Sequence, residues 1–225
     1  MSHPAHKSNP ELGKRVRDHL ITKGLETPLT DMVNESSESK VKAIEPHFRE
    51  IMSILGLDMS DDSLVDTPAR VAKMYTNEIF WGLNYDKFPK CTAIKNKMDY
   101  RNSYVLERNI NVQSNCEHHF VVIDGFATVA YIPHEHVLGL SKLNRIVEFF
   151  AKRPQVQERL TEQIAETISF ISGSPDVAVY INAEHYCVKS RGIQDTGSET
   201  VTFTARGCFA DLNSPLRGEF LSCLE

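Results

Sequence analysis

Phe120–Ile132 reads FVVIDGFATVAYI, and this stretch decides the fold class. Two apolar runs, Phe120–Ile123 and Phe126–Ile132, flank Asp124–Gly125, a dipeptide that suits a tight hairpin because both residues tolerate positive φ. The pattern predicts two antiparallel strands turning at Asp124–Gly125, with β structure beginning near Tyr104. Downstream, Leu143, Ile146, Val147 and Phe150 recur at spacings of three and four, which predicts a helix. Leu160, Ile164 and Ile168 predict a second helix, with Pro154 marking the break. Val177, Val179, Ile181, Ala183, His185 and Cys187 then alternate along another strand, and Val201–Ala205 supplies a last one. Helices set between antiparallel strand pairs indicate an α+β domain.

Upstream the pattern is helical. Ile44, Phe48, Ile51, Met52 and Leu55 form an amphipathic stripe, and Val71, Met74, Tyr75 and Ile79 form another behind a start at Thr67–Pro68. Thr67 is expected to cap that helix and Pro68 to occupy its first turn. Residues 1–38 are polar, with one short helix expected near Leu12–Ile21, and read as a mobile arm or an oligomer contact.

The chain has 225 residues, 25 Lys and Arg against 30 Asp and Glu, and a net charge of −5. That balance argues against nucleic acid as a partner, since such proteins carry a basic patch or stripe. It leaves room for a small anionic substrate in a locally positive pocket. No apolar run reaches membrane-spanning length, and the N-terminus lacks the apolar stretch of a secretory leader. Five cysteines, Cys91, Cys116, Cys187, Cys208 and Cys223, are an odd set that fits a reducing, cytoplasmic setting better than a disulfide scaffold.

The densest chemistry lies in Cys116–Glu117–His118–His119. A C-x-x-H spacing lets a thiolate and an imidazole reach one ion across a turn. His185 and Cys187, two apart in a strand pattern, are expected on one face. Cys116, His119 and Cys187 would make a three-ligand zinc site with a position left for water, the arrangement of a catalytic centre. A closed four-ligand structural site that includes His185 is the competing assignment, and inert core cysteines with surface histidines are the plainest one. Lys142 and Arg145 share a helix face, Lys189 and Arg191 follow the last candidate ligand, and Arg70 sits in the first turn of its helix. Each alone reads as a solvated charge; together they suffice for a phosphate chain, to which arginine offers a forked donor array. Glu158, at the start of the second helix, is a surface carboxylate or an acceptor for a donor-rich purine edge.

Four segments resemble the GTP cyclohydrolase I family: CEHH at Cys116–His119, GLSKLNRIV from Gly139, RPQVQERLT from Arg153 and HYCVKSRGI from His185. DTPARVAKMY from Asp66 resembles its N-terminal helical motif. The resemblance implies a T-fold, an antiparallel sheet with helices packed on one face, behind an N-terminal helical region. It divides the chain into an arm (1–38), a helical region (39–90) and a catalytic domain (91–225). It implies a homodecamer of two pentamers forming a toroidal barrel with active sites between subunits, and a reaction that converts GTP to formate and 7,8-dihydroneopterin triphosphate. Carried across, Cys116, His119 and Cys187 resemble the Zn2+ ligands. His118, His185 and Ser141 resemble the catalytic residues. Gln157 and Glu158 resemble the guanine reader; Arg70, Lys142, Arg145, Lys189 and Arg191 resemble the triphosphate set. The alternatives are another T-fold purine or pterin enzyme, and a non-enzymatic zinc-stabilised oligomeric module.

Overall fold

The computed structural model describes residues 7–101 and 103–224; Met1–His6, Asn102 and Glu225 lie outside it, and with them the first six residues of the expected arm. Its elements run α1 (Pro10–Thr22), α2 (Ser37–Ile54), α3 (Thr67–Met74), β1 (Ala93–Lys95), β2 (Val105–Cys116), β3 (Val122–Tyr131), β4 (His136–Leu138), α4 (Leu140–Ala151), β5 (Pro154–Gln155), α5 (Gln157–Ser172), β6 (Val177–His185), α6 (Tyr186–Lys189), β7 (Thr200–Ala205) and α7 (Pro215–Ser222). A π-helical turn, Tyr75–Ile79, continues α3. The main sheet has the order β5-β2-β3-β6-β7, antiparallel throughout except for β5, which lies parallel to β2. The two small strands β1 and β4 pair separately. This is the expected α+β architecture, a mixed sheet with helices before and within it, as in a T-fold monomer.

The sheet curls because β2 carries an irregularity between Glu107 and Ile110, where Asn109 adopts a φ of +58°; an extra residue in one strand bends it and increases its twist. One face packs against α4 and α5. Ile110, Val112, Ile123, Ala127, Val129, Val179 and Ile181 meet Leu143, Ile146, Val147, Phe150, Leu160, Ile164 and Ile168 in a single buried cluster. Each such large apolar side chain contributes ~1.5–3 kcal/mol on burial, so the two stripes of α4 and α5 are what hold the sheet. The opposite face is covered at one end by Phe209 and Phe220 and open at Val122, Phe126 and Val201.

Four expectations change. The hairpin does not turn at Asp124–Gly125: β3 runs straight through, pairing Gly125 with Val112 on one side and Ala183 on the other. A Cβ at Gly125 would stand 2.2 Å from the Asn182 carbonyl oxygen, so the glycine serves close strand approach, and the turn falls at Glu117–Val121. Cys187 leaves the strand, because β6 ends at His185 and the chain turns into α6. Thr67 is the first residue of α3, whose cap position is Asp66, and no side chain caps it. The stripe of α2 is only partly covered within the chain: Met52 is buried and Ile44 and Phe48 are half-buried, whereas Ile51 and, just past the helix end, Leu55 are exposed.

The N-terminal segment is docked from α1 onward. Val16 and Leu20 of α1 are fully buried in the main core, and His19 bonds Glu166 of α5 at 2.6 Å while stacking on Phe170. Burial, reinforced by Lys23 and Arg206, holds the His19 imidazole below its usual pKa. Arg206, just beyond β7, completes the tie by pairing with Glu166 and Glu162. Polarity suggested mobility here because, among the side chains of α1, only Val16 and Leu20, on one narrow face, are fully buried.

Arg153, between α4 and β5, is fully buried and ion-paired to Glu26 at 3.1 Å. Its guanidinium also donates to Thr27 and to the Gly82 carbonyl, and it lies over the rings of Tyr85, Phe149 and Phe150. Burial raises the Tyr85 hydroxyl well above its ordinary pKa, so it stays protonated and donates to Glu26. Arg153→Met is expected to cost about 3–5 kcal/mol in unfolding free energy, because it strands a buried carboxylate. Adding Glu26→Gln should recover part of that loss. Denaturant unfolding measures both; a loss below about 1 kcal/mol for the single variant, the range of an exposed pair, would refute this account.

Candidate active site

The CEHH tetrapeptide forms the β2–β3 connection. Cys116 ends β2, its N–H donates to the Val121 carbonyl at 2.8 Å, and the Phe120 N–H returns to the Cys116 carbonyl at 2.8 Å. Two further ties hold the turn against the start of α5. The Glu117 N–H donates to the Gln155 carbonyl at 2.9 Å, and the Glu117 carboxylate receives both ends of the Arg159 guanidinium at 2.6 and 3.3 Å. The register of β3 with β6 places Ile123 opposite His185, which brings α6 beside the turn.

Cys116, His119 and Cys187 converge as a result, with one ligand atom of each lying within 4.8 Å of the others. A tetrahedral ion with arms of ~2.3 Å to sulfur and ~2.1 Å to nitrogen needs a slightly tighter set, within reach of side-chain adjustment. Burial, and then the adjacent Cys116 thiol, keep Cys187 above the ordinary thiol range; two thiolates this close require a positive charge between them. His185, the candidate fourth ligand, faces away and bonds Gln157, so the three-ligand assignment fits the side chains and the closed four-ligand one does not.

His185 and Gln157 form one unit. The Gln157 amide nitrogen donates to the carbonyls of Ile181 and Thr200 at 3.1 and 2.9 Å, with the Thr202 hydroxyl at 3.1 Å. Carbonyls only accept, which fixes the amide orientation and turns Oε1 toward His185 Nε2 at 2.7 Å. The imidazole must therefore donate from Nε2, leaving Nδ1 as its second site for proton exchange. Burial lowers the His185 pKa, and Glu158 acts in the opposite direction. Glu158 itself is exposed in the first turn of α5. Gln157, by contrast, is buried with its amide committed to the sheet and His185, so its side chain supports the histidine and is not presented as a base reader.

The remaining candidates divide into two places. His118 lies on the turn with Nδ1 3.7 Å from the Cys116 sulfur. Arg191 donates to His119 Nε2 at 2.7 Å, beside the thiols. Lys189, on α6, is paired with Glu184 at 2.8 Å. Ser141, Lys142 and Arg145 stand on the first turns of α4, where Lys142 and Arg145 act electrostatically on the half-buried Cys91 thiol, whose pKa desolvation pushes up to about 12. The metal turn is at the other end of this helix, because β5 follows α4 directly and pairs with Asn115 and Cys116. Ten residues separate Ser141 from Ala151, about 15 Å of helix. Arg70 is exposed and pairs with Asp66 at 3.4 Å. One chain thus assembles the metal set, His118, His185, Glu158 and Arg191, and keeps Ser141, Lys142 and Arg145 apart from them.

The family description GTP cyclohydrolase I matches residues 44–225. The chain belongs to the GTP cyclohydrolase I family. Among curated relatives, GTP cyclohydrolase 1 of Aliivibrio salmonicida is 56% identical over 92% of this chain and 94% of its own length. That of an Enterobacter species is 53% identical over 94% and 96%, and that of Shewanella loihica 51% over 94% and 98%. This family member carries supports that no local motif exposes. Arg159 clamps Glu117 across 42 positions, and Phe120 carries a φ of +54°; only folding brings such partners together.

The Gln157–His185 bond has a direct signature. Nitrogen NMR of labelled histidine should report the Nε2–H tautomer for His185 in the native protein and a tautomer mixture in Gln157→Leu. Identical signals in both would remove the role assigned to the amide.

Proposed function

We propose that this chain hydrolyses GTP, opening the imidazole ring of guanine, releasing C8 as formate, rearranging the ribose and reclosing to 7,8-dihydroneopterin triphosphate. The observation that carries the reading is the convergence of two thiols and one imidazole within 4.8 Å, flanked by His118, His185, Glu158 and Arg191. Cys116, His119 and Cys187 would hold Zn2+, which when bound supplies Lewis acidity and lowers the pKa of water from its bulk value toward about 7.

The chain's own groups account for the rest. His185, donating from Nε2 to Gln157, has Nδ1 available to exchange a proton with the purine N7, whose protonation makes C8 electron-poor. Glu158 accepts from guanine N1–H and the exocyclic amine. His118, on the metal turn, handles a second proton near the opening ring. Arg191, Lys189, Lys142, Arg145 and Arg70 take the triphosphate, a remote anchor whose binding energy positions the base. Ser141 stands beside the ribose during its rearrangement.

Because Ser141, Lys142 and Arg145 lie at the far end of α4, a second copy must bring them to the metal turn. The sheet offers a way. β5 covers β2 only at Asn115 and Cys116, so the outer edge of β2 from Val105 to Ser114, and the outer edge of β7, are without strand partners among the described residues. Edge-to-edge pairing of successive copies would continue the sheet into a toroidal barrel, two such pentamers making a decamer. The exposed Ile51, Ile54 and Leu55 at the end of α2 offer further contact. We also infer a division of labour along the chain: 1–38 as an N-terminal arm, docked over its described part from α1 onward, 39–90 as a helical region, and 91–225 as the catalytic domain. A cytoplasmic setting is supported by five free thiols; no described helix is long and apolar enough to cross a membrane.

Metal-replete protein given GTP should yield formate and, after oxidation, a fluorescent pterin. Chelation should abolish both, and Cys187→Ser should lose bound zinc and turnover together. Formate without pterin would indicate an enzyme that stops after ring opening, and neither product from an intact zinc-loaded oligomer would defeat the reading. Mixed oligomers test the shared site: inactive Cys187→Ser chains and inactive Arg145→Ala chains, unfolded and reassembled together, are expected to regain activity that neither shows alone. No recovery in verified mixed assemblies would place the whole site on one chain.

A further inference from the structure

Phe120 closes the metal turn in a conformation that a bulky residue rarely holds, with a φ of +54°. Cβ crowding disfavours the left-handed region for any residue but glycine, and Phe lacks the short polar side chain that lets Asn or Asp compensate. Both backbone polar groups of Phe120 are tied back into the turn. Its N–H reaches the Cys116 carbonyl at 2.8 Å, and its carbonyl accepts from the Asn115 amide at 3.3 Å. What holds the residue there is outside the turn. Its ring meets Phe80 edge-on at 5.2 Å between centroids and Tyr75 at 6.0 Å. Tyr75 in turn stacks on Phe80 at 5.3 Å and contacts Phe48 of α2 at 5.5 Å.

A cavity of about 580 Å³ separates the π-helical turn from the hairpin, and its lining includes Asn115, Phe120 and Tyr186. These are the sequence neighbours of Cys116, His119 and Cys187. The Phe120 ring spans toward the helical side of that gap, so an aromatic strut connects the helical region to the residue that follows His119.

We infer that Phe120 is a positioning residue for the metal site, clasped by Phe80 and Tyr75 so that the N-terminal helical region holds His119 in ligating geometry. The inference rests on the assignment of Cys116, His119 and Cys187 as zinc ligands. Loss of the ring contact lets residue 120 leave the left-handed region, and a rotation there carries the adjacent imidazole off the position shared with the two thiols. The π-helical Tyr75–Ile79 segment has its place in this device: its wider turn precedes Phe80 and sets both rings against Phe120.

The test uses the assembled, zinc-loaded protein and reads zinc release to a chromophoric chelator, with the visible spectrum of the Co2+-substituted protein as a second readout. Phe120→Ala and the remote Phe80→Ala are each expected to release zinc about tenfold faster, the scale of an outer-shell support and of an aromatic pair. The double variant should release it no faster than the worse single, and both singles should alter the Co2+ spectrum. Phe120→Tyr, which keeps the ring, should stay near the native rate. Should Phe120→Ala fail to assemble, Phe80→Ala and Phe120→Tyr carry the same comparison. Normal release from Phe80→Ala, or single effects that multiply in the double variant, would overturn the clasp while Cys187→Ser still loses zinc. Zinc held undiminished by Cys187→Ser would overturn the ligand assignment, and the clasp with it.

Discussion

The guanidinium of Arg153 sits fully buried where three parts of the chain meet. An unpaired cation in that position would be untenable, so its surroundings are constrained. Glu26 supplies the counter-charge, Gly82 a carbonyl, and Tyr85, Phe149 and Phe150 the ring faces that suit a flat, weakly hydrated ion. The N-terminal segment, the loop after the π-helical turn and the C-terminal end of α4 are joined at one atom group. From there the chain enters β5, whose two residues pair with the end of β2 at Cys116. A buried charge far from the cysteine–histidine cluster thereby fixes where Cys116 stands.

The same economy recurs at the next residues. Gln155 bonds the Phe150 carbonyl and Gln163, and Gln163 reaches back to the Leu25 carbonyl. Gln157 spends its amide on β6 and β7 and presents one oxygen to His185. Arg159 takes the Glu117 carboxylate. The alternate residues 153, 155, 157 and 159 therefore each bind a different structural unit around the site. The segment works as a keel: each of these side chains is hydrogen-bonded to a different partner, so the helix they begin cannot rotate without breaking several hydrogen bonds.

Much of this was legible beforehand, for reasons that differ by residue. The stripes of α4 and α5 are long and periodic, and helical burial reproduces them directly. Cys116, His119 and Cys187 stood out because thiols and imidazoles at short spacing are chemically distinctive. Asp124–Gly125 misled because a turn signal and a close-packing requirement select the same residue; the obstacle to a side chain at Gly125 is the Asn182 carbonyl, 57 positions along the chain. His185 and Cys187 fit strand alternation in sequence, yet the strand ends between them, since no local rule marks where β6 loses its partner. Gln157 reads with Glu158 as a guanine contact only through the family resemblance, whereas in the structure Gln157 is buried and Glu158 exposed. Arg153, Arg159 and Phe120 acquire their roles only from partners remote in sequence.

The docking of the N-terminal segment has a consequence for biosynthesis. Glu26 precedes its partner Arg153 by 127 positions, and at about 5–20 residues per second the carboxylate emerges from the ribosome roughly 6–25 s ahead of the guanidinium. During that interval α1 has neither its ion pair nor the α5 surface that receives Val16 and Leu20. α1 is thus made well before the surface that seats it, and a nascent chain must keep this segment unaggregated until α5 has been read.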